Sequence, residues 1–271
     1  MSETPATPPS RPATRRILAL ILVGAIGGLL SGAFGVGGGI VMVPLLIWLL
    51  GMDQRRAAAT SLVAIVPTAI AGTIQYLVQG EVDVVAGLVV AAGGIVGSLI
   101  GTRLLRTLPL GWLRWLFIAL LLLSAIRLFF EVPSRGAELV LSPLTVVLLV
   151  LVGVVMGIAS GLFGIGGGVI LVPVLVALFG ISDLLAKGTS LLAMIPTSVT
   201  GSVSNLRAKL VSVSDGLIAG VAATAASFGG VALAFLLPPR LAAILFAVLL
   251  VGTVAQLTVR AIRAQRATPS A

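Results

Sequence analysis

The chain alternates long apolar runs with short polar punctuation. Apolar stretches cover residues 17–50, 57–79, 84–105, 110–130, 139–180, 184–206, 211–237 and 241–262, and nearly all charges fall between them. About 20 apolar residues suffice to cross a bilayer as a helix, whereas the strands of a membrane barrel alternate in stretches of about ten. The pattern therefore predicts an all-α integral membrane protein, a polytopic helical bundle. The first run follows a long polar leader and is succeeded by further apolar runs, so it is expected to be a spanning helix rather than a signal peptide.

One run is too long for its role. Residues 17–50 form a stretch of 34, about 51 Å as a continuous helix against a hydrocarbon core of roughly 30 Å. Inside it lies "SGAFGVGGGIVMVP" at residues 31–44, and the phrase returns as "SGLFGIGGGVILVP" at 160–173. The offset of 129 residues holds without a gap beyond the glycines: "TSLVAIVPT" at 60–68 is matched by "TSLLAMIPT" at 189–197, and Pro109 by Pro238. The chain thus reads as two homologous repeats. Their expected limits are 17–130 and 143–263, joined by a linker at 131–142. A Pro- and Ser/Thr-rich tail at 1–16 and a basic tail at 264–271 flank them and are expected to be disordered and cytoplasmic.

A break at Gly35 to Gly39 would turn the long run into a helical hairpin, and each repeat would then hold this hairpin plus three spanning helices. An odd number of crossings inverts the second repeat; a single broken crossing would leave both repeats in the same sense. The charges favour inversion. With a cytoplasmic N-terminus, Arg55, Arg56, Arg103, Arg106, Arg114, Arg207, Lys209 and the C-terminal arginines fall inside, while Glu81 and Asp83 fall outside. The expected location is a bacterial inner membrane, crossed many times, with both termini cytoplasmic.

Composition narrows the chemistry. The 271 residues are 59% hydrophobic and 9% charged, with a mean hydropathy of +1.24. The net charge of +9 sits in loops and tails without aromatic interleaving, so it reads as a topology signal and no nucleic-acid partner is expected. Cysteine and histidine are both absent, which removes thiol and imidazole chemistry and the usual zinc sites. No spanning carboxylate is available as a base, so the chain is expected not to be an enzyme, and neither a cofactor nor a metal is expected.

The glycines carry the candidate chemistry. Gly35, Gly37, Gly38 and Gly39, with Gly164, Gly166, Gly167 and Gly168, would let the backbone turn and expose the first N–H groups of the short helices that follow. Helix N-termini attract anions, and inverted-repeat transporters bring such broken helices together near the bilayer midplane. Neither phrase is a P-loop or a dinucleotide fingerprint, because the residues after the glycines are wrong for both. Glycine could also serve close helix packing alone.

In the second phrase Thr60, Ser61, Thr189 and Ser190 are candidate hydroxyl donors to an oxyanion, or else hydroxyls that re-satisfy backbone freed by Pro67 and Pro196. Gln75 and Asn205 add amides in the same helices and read as ligands or as interhelical glue. Lys187, where the first repeat has Ala58, is expected to snorkel to the interface or to draw anions to an outer vestibule. Gly24 is assigned to ordinary helix surface.

The doubled Gly-x-Gly-Gly-Gly phrase followed by Pro, with Thr-Ser and Pro-Thr downstream in each half, resembles the sulfite exporter TauE/SafE family of membrane permeases. The resemblance spans nearly the whole chain apart from the tails. It implies a permease for small sulfur-containing oxyanions such as sulfite or organosulfonates, held near the midplane between the repeats. An anion channel, or a permease for another small organic anion, is the alternative. Expected partners are a small anionic substrate, the lipid bilayer, a coupling H+ or Na+ and, as one oligomeric option, a second copy in a homodimer.

Overall fold

The computed structural model describes residues 13–130 and 142–266, and among these every regular element is a helix. The expected tail residues 1–12, linker residues 131–141 and residues 267–271 lie outside the described residues. The first half holds α1 (Ala13–Phe34), α2 (Gly39–Leu50), α3 (Gln54–Val78), α4 (Val84–Thr107) and α5 (Leu110–Phe130). The second holds α6 (Pro143–Phe163), α7 (Gly168–Phe179), α8 (Asp183–Arg207), α9 (Val213–Leu236) and α10 (Pro239–Arg266). Starts recur at the sequence offset: α2 to α7, α3 to α8, α4 to α9 and α5 to α10 are each 129 residues apart. Among the described residues six helices are long and apolar enough to cross a membrane, which makes this a polytopic helical membrane protein. Helix α1 begins at Ala13, and α10 continues to Arg266, each reaching a few residues into the segments read as tails.

Local sequence explains the boundaries. Asp53, Asp83, Ser142, Ser182 and Ser212 each cap a helix N-terminus, accepting from a backbone N–H three residues on. Gly51 and Gly180 close the two short helices in the left-handed conformation. At 12 residues, α2 and α7 are each about 18 Å long, too short to cross. Helix α2 doubles back along α1: a methyl group on Gly27 would lie 2.4 Å from Met42 Cγ. The long run at 17–50 is thus a hairpin.

Glycine stripes set the main packing. Gly24, Gly28 and Gly32 of α1 meet the backbone of Ala219, Ala223 and Ser227 of α9 in that order, so the two helices run parallel. The equivalent Gly153, Gly157 and Gly161 of α6 meet Val90, Gly94 and Ser98 of α4 in the same way. A methyl on Gly24 would lie 2.1 Å from the Ala219 carbonyl oxygen. Its assignment to ordinary surface is therefore corrected: in an all-apolar helix the pattern does not separate a lipid-facing side from a protein-facing one, and the small residue marks the backbone approach.

Further contacts fix the directions of the other helices. Gly216 and Gly220 of α9 lie against Val63 and Pro67 of α3, which makes those two parallel. Gly87 and Gly94 of α4 lie against Leu192 and Thr197 of α8, also parallel. In contrast, Gly72 of α3 meets Leu191 of α8 while Gly201 of α8 meets Leu62 of α3, an antiparallel pair. Helices α1, α3 and α9 therefore run one way and α4, α6 and α8 the other. Aromatic pairs repeat the correspondence: Phe34 stacks on Phe246 with centroids 4.7 Å apart, and Phe163 stacks on Phe117 at 5.3 Å. Each half thus packs the end of its first helix on the last helix of the other.

Candidate functional site

The two glycine turns meet at the centre of this arrangement. In the first, Gly35, Gly37 and Gly38 take φ of 67°, 80° and 69°; in the second, Gly164, Gly166 and Gly167 take 71°, 79° and 93°. Side chains rarely adopt such left-handed backbone, so the glycines are what permit the turns. The turns touch directly. A methyl on Gly39 would lie 2.2 Å from the Gly164 carbonyl oxygen, and one on Gly168 would lie 2.4 Å from that of Gly35. All residues from Gly35 to Ile40 and from Gly164 to Val169 are buried. At the head of each short helix the amides of Met42 and Leu171 return to the carbonyls of Gly38 and Gly167.

Two serines clasp the crossing. The Ser61 hydroxyl donates to the Gly164 carbonyl at 2.5 Å, and the Ser190 hydroxyl donates to the Gly35 carbonyl at 3.0 Å. In each case a helix of one half holds the turn of the other. These hydroxyl hydrogens are engaged by protein, so in this conformation Ser61 and Ser190 are positioned as braces of the crossing.

The threonines beside them differ from one another. Thr189 Oγ1 accepts from the Asp83 N–H at 2.9 Å, tying α8 to the start of α4. The equivalent residues Thr60 and Ser212 make no such bond; both line a cavity of about 430 Å3 together with Arg16, Asp53, Arg56, Lys209 and Asp215. Within that cavity Arg16 pairs with Asp215, and Arg56 with Asp53 at 3.6 Å. The two equivalent places thus differ: Thr189 is bonded across to α4, whereas Thr60 borders a cavity.

Lys187 is the largest departure from the sequence reading. It does not snorkel: the residue is 2% exposed, its stem lies against Gly35, and a methyl there would sit 2.6 Å from the Lys187 Cβ. Its Nζ is 2.6 Å from Asp183 Oδ2, yet no hydrogen bond of good geometry holds it. The contact is a charge pair with one carboxylate, which leaves further donors of the ammonium without a partner among the described residues. On the opposite side Gly164 lies against Ala58 in the same way, and Gln54 stands where Asp183 does. One turn thus has a buried cation beside it and the other has none.

The two amides separate. Gln75 folds back on its own helix, its Nε2 donating to the Ala71 carbonyl at 3.1 Å. Asn205 is fully buried with neither amide atom partnered. It occupies the position equivalent to Tyr76, whose hydroxyl donates to the Gly32 carbonyl at 2.8 Å. Among the described residues, four of the six other buried hydroxyls without partners form equivalent pairs, Ser31 with Ser160 and Thr73 with Ser202, while Ser198 and Thr224 stand opposite Ala69 and Ile95. These four were not singled out in the sequence. The signal available was their recurrence at the repeat offset inside apolar runs, as hydroxyls at Ser31 and Ser160 and as Thr and Ser at 73 and 202. Buried polar atoms are ordinarily hydrogen-bonded, so each unfilled one leaves hydrogen-bonding capacity unused inside the bundle.

A helical membrane protein whose two homologous halves each present a broken helix to the other has the architecture of a transporter. The chain belongs to the sulfite exporter TauE/SafE family, whose model matches residues 2–128 and 149–271. The family expected from the doubled phrase is thereby established. The chain is 30% identical over 210 residues to the probable membrane transporter protein YunE of Bacillus subtilis, covering 69% of this chain and 77% of that one. It is 31% identical over 189 residues to the probable membrane transporter protein YdhB of the same organism, covering 68% and 76%. A probable membrane transporter protein of Haemophilus influenzae is 32% identical over 200 residues, covering 69% and 73%. No solved structure matches.

Proposed function

We propose that this membrane transporter carries a small sulfur-containing oxyanion, such as sulfite or an organosulfonate, past the crossing of the two glycine turns. The observation that carries the reading is Lys187, a cation buried against Gly35 with unfilled donors. Lys187 has one carboxylate beside it and donors left over, so an anion arriving there gains charge-assisted hydrogen bonds. The family name supports the sulfur oxyanion. Substrate oxygens beside the crossing would meet Lys187, the N-terminal amides of α2 and α7, and unfilled hydroxyls such as Ser31. Hydrogen bonds of this charge-assisted kind contribute about 1.5–3 kcal/mol each, so a few of them offset much of the desolvation of a small anion.

The two halves act as inverted repeats in the inner membrane, with both termini cytoplasmic. Support comes from the antiparallel run of α3 and α8 and from the arginines gathered at one end of the bundle. On this orientation the cavity at Thr60 opens to the cytoplasm, and the Thr189–Asp83 bond shuts the outer side. Exchange of these two arrangements between equivalent positions would give alternating access, with closure on one side at a time distinguishing a permease from a channel.

Flux into proteoliposomes tests the reading, with sulfite, taurine, sulfoacetate and sulfate compared under imposed H+ and Na+ gradients. Saturable flux of one of the first three, faster than that of chloride, is the expected result. Equal passage of every anion with a single-channel conductance would sink the permease reading, and no flux of any sulfur oxyanion would sink the substrate class.

A further inference from the structure

Away from the crossing, α4 and α8 end side by side, and the groove between their last turns encloses about 640 Å3. Arg103, Arg106 and Arg207 line it, with the hydroxyl residues Thr200 and Ser204 between them. Among the described residues the ion pairs are Arg16–Asp215, Arg56–Asp53 and Lys187–Asp183, so none of these three guanidinium groups has a carboxylate partner. Arg106 is braced, its Nη1 donating to the Ser204 carbonyl at 3.1 Å and to the Ser204 hydroxyl at 3.2 Å.

Basic side chains at helix C-termini offset the helix dipole. Two helix ends supply together about one negative charge, against three cations, and leave an excess of about two. Positive-inside topology explains why arginines lie on this side. It does not explain why three of them ring one groove. The walls supply the remaining clue. Leu99, Val199 and Val203, a turn or two deeper along the same helices, are 44%, 42% and 41% exposed, so a bound anion here has an apolar path running from it along the bundle surface.

We propose that this groove binds the headgroup of an anionic phospholipid, with the phosphate held by Arg103, Arg106 and Arg207 and the acyl chains laid along Leu99, Val199 and Val203. Basic pockets between helix ends recognise lipid phosphates by this charge complementarity, and guanidinium groups suit phosphate oxygens through paired donors. Its lining shares no residue with the cavity at Thr60 or with the glycine crossing, so the site stands whichever anion the protein carries.

Full-length protein, delipidated in detergent, is titrated with phosphatidylglycerol and with phosphatidylcholine of the same chains, with bound lipid read by native mass spectrometry and thermal stability read alongside. Phosphatidylglycerol should remain bound and raise the melting temperature, and phosphatidylcholine should do neither. R103Q/R207Q, which leaves the braced Arg106 in place, should weaken phosphatidylglycerol binding at least five-fold, whereas R114Q outside the groove should bind as the wild type does. If R103Q/R207Q fails to fold, R103K/R207K keeps the charge, loses the paired donors, and should bind more weakly than the wild type. Equal retention of the two lipids, or wild-type binding by the Arg103/Arg207 variants, would overturn the proposal. Displacement of the lipid by soluble glycerol phosphate at matched concentration would overturn it too, by marking a site for free anions.

Discussion

The Ser61 hydroxyl, on a helix of the first half, donates to the carbonyl of Gly164 in the turn of the second. Its equivalent, Ser190, does the same for Gly35. The bonds are buried, and removing the donor leaves a buried carbonyl unfilled, at a cost of about 1–3 kcal/mol. Ser61→Ala and Ser190→Ala should therefore each lower the melting temperature in detergent, to similar extents, with apparent substrate affinity changed less than stability. A selective affinity loss at unchanged stability would instead make the serines substrate donors.

The glycines of the turns and of the stripes should both resist substitution, for different reasons. Gly38 combines φ of 69° with a methyl position 2.2 Å from the Gly27 carbonyl oxygen, so Gly38→Ala is strained twice. Gly24→Ala has ordinary helical backbone but would strike the Ala219 carbonyl oxygen at 2.1 Å. Gly111 has nothing within 4 Å, and Ala is the better helix former by about 1 kcal/mol. Folded yield and flux should fall in the first two and hold in Gly111→Ala. Wild-type behaviour of Gly24→Ala would contradict the parallel α1–α9 contact.

Thr60 and Thr189, equivalent in sequence, should not behave alike. Thr189→Val removes the acceptor of the Asp83 N–H and should loosen closure on that side, read as faster labelling of a cysteine placed at Asp83. Thr60→Val alters the lining of the cavity beside it, and should weaken apparent affinity by about 1 kcal/mol, roughly five-fold, with stability near that of the wild type. Identical phenotypes would show that the asymmetry has no functional meaning.

Lys187→Met should abolish saturable transport and also reduce folded protein, because Asp183 loses the cation beside it. Breaking a half-buried or buried pair typically costs about 3–5 kcal/mol, whereas replacing both members can be nearly neutral. K187M/D183N should therefore recover folded protein without recovering transport. Recovery of both would reduce Lys187 to a structural partner of Asp183.

Much of this organisation was legible in the chain because it is repeated. An apolar run of 34 residues cannot be one crossing, and the glycine phrase inside it named the turn. Pairwise meaning was harder to read. Ser61 and Ser190 stood out as hydroxyls, but their acceptors lie 103 and 155 residues away in the other half, and no local pattern encodes that. Lys187 near the start of an apolar run reads as an interfacial side chain, and only the approach of Gly35 shows that it is roofed over. Gly24 failed for a related reason: where every neighbour is apolar, periodicity gives no inner face, and the small residue alone carries the signal.

Two like halves facing opposite sides of the membrane require that equivalent turns lie on opposite sides, and one pair of residues tests that directly. Gly80 and Lys209 are equivalent in the repeat, both exposed at the turn after their helix, with φ of 76° and 56°. The native chain has no cysteine, so Gly80→Cys and Lys209→Cys report cleanly. In intact cells an impermeant thiol reagent should label Gly80→Cys and spare Lys209→Cys until the membrane is opened. Labelling of both from the outside, or of neither until the membrane is opened, would place the two turns on one side and contradict the inverted arrangement.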